Sequence, residues 1–128
     1  MSATNDGETR ILNQVFKNDA YDYSADATWY VSLHTGDPGI TGASEAAGGS
    51  YARQLANASF AAAASGAKAT NANIDFAVMP AATITHVGIW DAVSGGNFLE
   101  GGPLAASKTT NAGDTFRLTS GALIASLT

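Results

Sequence analysis

Cysteine is absent from this 128-residue sequence, which excludes disulfide bonds, thiolate metal ligands and cysteine nucleophiles. Basic residues are also few, since six lysines and arginines stand against eleven acids and give a formal net charge of -5. They are scattered along the chain, whereas a nucleic-acid-binding surface needs clustered cations. We therefore expect no nucleic-acid partner.

Long apolar runs are missing as well. No stretch approaches the roughly 18 apolar residues of a membrane-spanning helix, and the N-terminal MSATNDGETR lacks the basic and apolar regions of a secretory signal. The sequence predicts a protein that has no membrane partner, is made in the cytosol and leaves it, if at all, by lysis.

Large apolar side chains are scarce, because 26 of the 128 residues are alanine. The rest can fill one thin core in a single domain spanning 1-128, and such domains often gain stability from a partner subunit. Fourteen glycines, with many Ser, Thr and Asn residues, indicate a β-rich domain with generous loops.

The N-terminal region predicts a flexible arm at residues 1-6 and a short amphipathic helix at 7-18. Asp6 is placed to cap its first turn, and Glu8 suits its positive end. Two apolar turns are too few for a stable isolated helix, so it should dock on the sheet or on another chain. Its apolar stripe comprises Ile11, Leu12, Val15 and Phe16.

The stretch from Trp29 to Gln54 is the centre of the predicted β-domain (28-127). Apolar residues alternate with polar ones from Trp29 to His34, which is typical of a half-buried strand. Glycines and Pro38 then end the strand and begin a polar loop, here called the contact loop (residues 36-49). Loops of this length usually have a function.

The remaining pattern predicts short strands separated by glycine turns, with 61-69 as a turn and Gly88 marking a bulge or a close approach of another backbone. The fold class is mainly β: an antiparallel β-sandwich or partly closed barrel of seven to eight short strands with one short N-terminal helix. The expected strands are 28-34, 50-60, 73-78, 82-91, 98-100, 104-109, 115-118 and 122-127.

Candidate chemistry is sparse. His34 and His86 lie within strands and could face each other across a sheet with Asp37 or Asp91 as a metal or acid-base site. Without ligand spacing, a hydrogen-bonded residue on a sheet face is the better interpretation. The acids near strand ends are better explained as turn formers than as a catalytic pair. We expect no catalytic residue, cofactor or metal, and hence no enzyme.

Two further features suggest contacts with other molecules. The candidates for a sugar-binding platform are Tyr21, Tyr23, Tyr30, Trp29 and Trp90. Tyr21 and Tyr23 lie in an acid-rich connection and are the better candidates for exposure, whereas Trp29 and Trp90 lie in apolar strands where burial is usual. Arg53 follows the contact loop. It could pair with Asp37 or Glu45, reach a carboxylate of a neighbouring subunit, or be solvated.

Several motifs together resemble a known family. The most specific are LHTGDPG (33-39), GSYARQ (49-54) and HVGIWD (86-91), supported by FLEG (98-101), Lys108-Thr109 and GDT (113-115). Over residues 8-127 the chain resembles small proteins from the structural gene blocks of tailed bacteriophages and prophages, labelled tail-fibre or virion-associated proteins.

The resemblance implies a non-enzymatic component of the virion, made in the host bacterial cytoplasm, at the head, neck or tail. A tail-fibre attachment and a capsid decoration (cement) protein both remain open, but without a repeat the chain is too short to be the fibre shaft. Expected partners are further copies of the chain and a phage capsid or tail protein. A carbohydrate-binding module that binds a host surface glycan is the alternative, and a histidine-dependent hydrolase is a third hypothesis.

The residues expected to make intermolecular contacts are Ile11, Leu12, Val15, Phe16, Tyr21, Tyr23, Asp37, Pro38, Glu45 and Arg53.

Overall fold

The computed structural model describes residues 2-15, 28-56, 65 and 67-126. This part of the chain contains one helix and nine strands. They are β1 (Ser2–Ala3), α1 (Asn5–Val15), β2 (Tyr30–His34), β3 (Gln54–Leu55), β4 (Ala67–Ala69), β5 (Ile74–Phe76), β6 (Ala82–Trp90), β7 (Phe98–Thr110), β8 (Phe116–Leu118) and β9 (Ile124–Ser126).

The main sheet has five strands in the order β1-β7-β6-β2-β3, all antiparallel to their neighbours. Its centre is β6, which is rich in β-branched residues and pairs along its length with β7 and over five residues with β2. Two ribbons, β4-β9 and β5-β8, complete the described strands. The predicted mainly β, antiparallel fold with one short N-terminal helix is confirmed, and the described sheets are not closed.

The apolar core lies between one face of the main sheet and the β5-β8 ribbon. Val31 and Leu33 of β2 are fully buried and lie opposite Ile89 and Val87 of β6, so all four side chains share a face. The ribbon covers this face, and its two phenylalanines, Phe76 and Phe116, meet edge to face at 6.3 Å. Other core residues include Ile74, Met79, Ile84, Leu118 and Leu123.

The second face of β2 is buried as well, so the prediction of a half-buried strand was wrong. Ser32 and His34 both have 0% of their surface exposed. Alternation of apolar and polar residues indicates that the polar face of a strand is exposed to solvent only when no other segment covers it. Here the contact loop folds back over it and supplies hydrogen-bond partners.

β7 is continuous through Gly101-Gly102-Pro103, where the sequence predicted a break between two strands. Beyond Gly101 this strand has no outer neighbour in the part of the chain that the structure describes, and an edge strand tolerates proline. One of the two irregularities in the β6-β7 pairing follows Pro103, and the other lies between Ile89 and Trp90. The pairs shift between His86–Pro103 and Ile84–Lys108, and residues 104-107 are accommodated opposite Thr85.

The helix begins earlier than predicted, and its N-cap is Thr4 instead of Asp6. The Thr4 hydroxyl accepts a hydrogen bond from the Gly7 N–H at 3.3 Å and donates one to the Phe98 carbonyl at 2.6 Å. Thr4 thus caps the helix and joins it to β7, which the local sequence pattern could not reveal. The helix is described to Val15, and the predicted residues 16-18 lie outside the described residues.

Two other boundaries differ from the prediction. The expected strand 50-60 is represented by β3 at Gln54–Leu55, and 57-60 lie outside the described residues. The segment predicted as a turn ends in β4, whose residues 67-69 pair with β9. Alanine-rich sequence has weak β propensity, so this pairing depends on the partner strand.

Candidate functional site

The contact loop leaves β2 and returns alongside it. The Thr35 N–H donates to the Ser44 carbonyl at 2.9 Å, and the Ala46 N–H donates to the Leu33 carbonyl at 2.8 Å. His34 and Glu45 form an isolated β-bridge between these two bonds. The two ends of the loop are therefore fastened to each other, as in an Ω-loop.

The tip of the loop is a hydrogen-bonded turn. The Asp37 carboxylate accepts the Gly39 N–H at 2.9 Å, and the Pro38 carbonyl accepts the N–H groups of Gly42 and Ala43 at 2.9 and 3.0 Å. Pro38 itself is buried. Of the expected contact residues in this loop, Asp37 thus forms the turn and Pro38 packs inward. Ile40 projects, with 69% of its surface exposed.

Gly42 lets the loop lie directly on the sheet. Its φ of +77° is in the left-handed region, and a Cβ at this position would overlap the ring of Trp90 and press on Phe98. Any side chain here would lift the loop from Trp90.

A chain of hydrogen bonds runs beneath the loop. Trp90 Nε1–H can only donate, and it reaches Ser32 Oγ at 2.9 Å. Ser32 Oγ lies 2.7 Å from His34 Nε2, and His34 Nδ1 lies 2.7 Å from the Ala43 carbonyl, which can only accept. Neutral His34 therefore carries its proton on Nδ1 and accepts the Ser32 hydroxyl hydrogen at Nε2.

Burial lowers the pKa of His34 below its ordinary value of 6.5, because the charged form would lose its hydration. His86 lies opposite His34 in the β2-β6 register, as the sequence suggested it could. Within the described ranges, no group of three or more His, Cys, Asp or Glu side chains could hold a metal ion. His34 matches the interpretation of a hydrogen-bonded residue on a sheet face.

Arg53 fastens the loop to the rest of the sheet. Its Nε and Nη2 atoms donate to the two carboxylate oxygens of Glu45 at 2.9 and 2.8 Å. The guanidinium carbon lies 3.6 Å from the ring centroid of Trp90, and Nη1 donates to the carbonyls of Ala92 and Gly95. Of the alternatives left open by the sequence, the structure shows the pair with Glu45. Only 7% of the Arg53 side chain is exposed.

Tyr51 adds a link between the loop and the edge of β2. Its hydroxyl donates to Glu45 Oε1 at 3.1 Å and accepts the Leu33 N–H at 2.9 Å. Burial raises the pKa of Tyr51, so the phenol stays protonated and remains a donor.

A cavity of about 310 Å³ lies beside Ile40. It is bounded by the contact loop, the first turn of α1 and the 91-97 hairpin that joins β6 to β7. Asp91 fixes the hairpin by accepting the Asn97 N–H at 2.6 Å, and Val93 within it is 54% exposed. Three separate segments thus form one surface around Ile40.

Trp90 does not offer a platform for a sugar. Trp90 is 8% exposed, with Arg53 over its ring and Gly42 against its edge. Stacking on a sugar needs an open ring face. Tyr21 and Tyr23, the better candidates, lie outside the described residues.

The helical candidates are only partly described. Leu12 is 55% exposed, the side chains of Ile11 and Val15 lie outside what the structure describes, and Phe16 lies outside the described residues. The helix meets β7 near its start, where Gly7 packs against the Leu99 carbonyl. No helix in the described chain is long and apolar enough to cross a membrane.

Sequence reasoning missed Ile40, Ser32 and Ala43. The polar Ser32 gave no sign of burial, and Ala43 acts through its backbone carbonyl. Ile40 had a usable signal, because it is the single large apolar residue in a loop of glycine, alanine, proline and polar residues.

The sequence matches a protein-family model over nearly the whole chain. Residues 2-126 match the family model described as "Podophage GP4 fiber I protein gp80". No curated protein matches the sequence.

Proposed function

Because the chain belongs to the podophage GP4 fibre I protein gp80 family, a family of phage fibre structural proteins, we propose that it is a non-enzymatic subunit held on the particle through its contact loop. Membership of this family implies that the chain is a component of the virion. The partner in this proposal is a tail or capsid protein, and a fibre-associated position fits the family description better than capsid decoration. Assembly takes place in the host cytoplasm, without cofactor or nucleic acid.

The exposure of Ile40 on an immobilised loop is the observation that carries this proposal. Its loop is fixed by the turn at Asp37, by the bonds to β2 and by Arg53. An apolar side chain presented on a rigid loop loses little conformational freedom on binding, and such anchors dominate many protein interfaces. The neighbouring 310 Å³ cavity gives the partner a concave surface beside the anchor.

The buried groups beneath the loop support a structural role over a catalytic one. Both ring nitrogens of His34 are hydrogen-bonded and none of its surface is exposed. A general base needs access to a substrate proton. The hydrogen bonds of His34 instead hold the loop in place.

Replacement of Ile40 by Thr tests the proposal. Thr keeps the β-branched shape but loses apolar area and places a hydroxyl in the contact, so we expect roughly tenfold weaker attachment. The measurement is the number of copies per purified particle, by quantitative mass spectrometry, in phage carrying the variant.

Ile124→Thr is the matched control, because Ile124 is 51% exposed on the β4-β9 ribbon. We expect this variant to keep wild-type occupancy, and both variants to melt near the wild-type temperature. Equal occupancy for the two variants would exclude Ile40 as the anchor, and absence of the wild-type chain from particles would refute the proposed function itself.

A further inference from the structure

Val78 has a backbone conformation that its side chain disfavours. Its φ is 53°, in the left-handed region. The other non-glycine residues with positive φ in the described part are Ser44 and Ser65, which lack branching at Cβ. For a β-branched residue this region is a true outlier, because Cβ crowds the neighbouring carbonyl.

The surrounding structure forces this conformation on Val78. The buried Phe76 ends β5 and the buried Met79 comes three residues later, so the chain must turn sharply between them. Met79 is fixed from both sides, since its N–H donates to the Asp114 carbonyl at 2.7 Å and its carbonyl accepts the Gly113 N–H at 2.9 Å. The Val78 carbonyl in turn accepts the Ser50 N–H at 3.3 Å.

The turn requires the backbone conformation but does not require valine. Half of the Val78 surface is exposed, so the side chain gives the core little in return for the strain. Gly or Asn would take the same φ with less strain. Exposure of one apolar residue would mean nothing alone. Backbone strain concentrates at functional sites, so a residue that is both strained and exposed is a candidate contact residue.

We infer that Val78 is a second anchor residue, which inserts into an apolar pocket of the particle protein on which this chain is held. Gly48 and Gly49, at the end of the contact loop, adjoin Val78 and Pro80. They present backbone without side chains, so a partner can approach closely. The inference rests on the proposed function and adds Val78, next to the far end of the contact loop, to the residues through which the chain is held.

A different protein fits this surface better than a second copy of the chain. Each copy carries a formal net charge of -5, so two copies repel each other. The isolated chain should therefore remain monomeric whether residue 78 is Val or Asn.

Two replacements separate strain from binding. Val78→Asn relieves the strain and removes the apolar group, so we expect the melting temperature to rise by about 3 °C or more and particle occupancy to fall roughly tenfold. Val78→Ile keeps both the strain and the apolar group, so it should leave both quantities near wild type. Ile124→Asn is the control for surface polarity, because Ile124 is 51% exposed, lies outside the proposed surface and has no positive φ. It should not raise the melting temperature.

The measurements are thermal unfolding and sedimentation of the isolated chain, together with copy number on purified particles. Val78→Asn with unchanged occupancy, or with a lower melting temperature, would overturn the inference while wild-type occupancy still supported the proposed function. A change in oligomeric state on replacing Val78 would overturn the choice of partner. Particles that lack the wild-type chain would refute both proposals.

Discussion

His34 is a buried histidine whose two ring nitrogens are both used in its neutral form. Protonation would add a hydrogen at Nε2, where Ser32 Oγ already accepts from Trp90 Nε1–H. The Ser32 hydroxyl hydrogen would then need a new acceptor in a fully buried site. Nearby charges oppose each other, because Glu45 favours the charged ring while Arg53 and His86 disfavour it. Burial is the larger effect.

This site predicts how stability depends on pH. The folded pKa of His34 lies below the unfolded value of 6.5, so the unfolded chain binds more protons between these two values. The contribution of His34 to the free energy of unfolding is complete above about pH 7. This contribution is lost as the pH falls below 6.5 toward the folded pKa, and it changes no further at lower pH. Urea unfolding between pH 7.5 and 5 measures it.

His34→Asn is the comparison for this pH prediction. The Asn amide can still donate to the Ala43 carbonyl, but it has no group that titrates in this range. The difference in unfolding free energy between wild type and variant should shrink as pH falls. A difference that stays constant from pH 7.5 to 5 would show that His34 does not titrate as its burial requires.

At the scale of elements, the contact loop is held by side chains far apart in sequence. Arg53 contacts Glu45 in the loop and the carbonyls of Ala92 and Gly95 in the hairpin. It also lies over Trp90, beneath the loop. One guanidinium therefore links the loop, the hairpin and the main sheet.

Replacement of Arg53 by Lys should cost about 2 kcal/mol of unfolding free energy. Lysine keeps the charge but cannot bind both Glu45 oxygens, stack on the indole and reach two carbonyls at once. Denaturant midpoints measure the loss of stability. Amide exchange at Gly42 and Ala43 should speed up, because the loop loses its fastening.

Arg117→Lys is the control, since Arg117 binds both oxygens of Asp75 in the same geometry on an exposed ribbon. Water screens an exposed ion pair, so the denaturant midpoint of Arg117→Lys should stay close to that of the wild type. Equal losses for both variants would mean that burial and stacking add nothing at Arg53.

The sequence predicted where strands form better than it predicted what covers them in the fold. The run of β-branched residues from Ala82 to Trp90 predicted β6 almost to its ends, and the ion pair of Arg53 was among the expected alternatives. The burial of Ser32 and the cap at Thr4 were not predictable. Both depend on segments that come together only in the fold, namely the returning loop and β7.

For the whole molecule, a main sheet covered on both faces explains how a chain with few large apolar residues is stabilised. The core face buries Val31, Leu33 and Val87 against the β5-β8 ribbon. The opposite face buries a polar chain, Trp90 to Ser32 to His34, under the contact loop. The sequence predicted the first layer through its apolar alternation. The second was hidden because Ser32 and His34 are polar and Gly42, which brings the loop onto Trp90, has no side chain.

This arrangement predicts a gradient of local stability across the molecule. β6 lies between β7 and β2, and β2 lies between β6 and β3, so their central amides are hydrogen-bonded inside the sheet and covered above and below. The β4-β9 ribbon has three residues in each strand, and Ile124 is 51% exposed. Two-stranded ribbons are marginal by themselves.

Native-state hydrogen exchange measures this gradient. Amides of Val31, Val87 and Ile89 should exchange only through global unfolding, whereas those of the β4-β9 ribbon should open at least about 2 kcal/mol more easily. The Thr70 N–H, which donates to the Leu123 carbonyl at 3.0 Å beside the ribbon, is a convenient reporter. Equal protection in β9 and β6 would show that the ribbon unfolds as one unit with the main sheet.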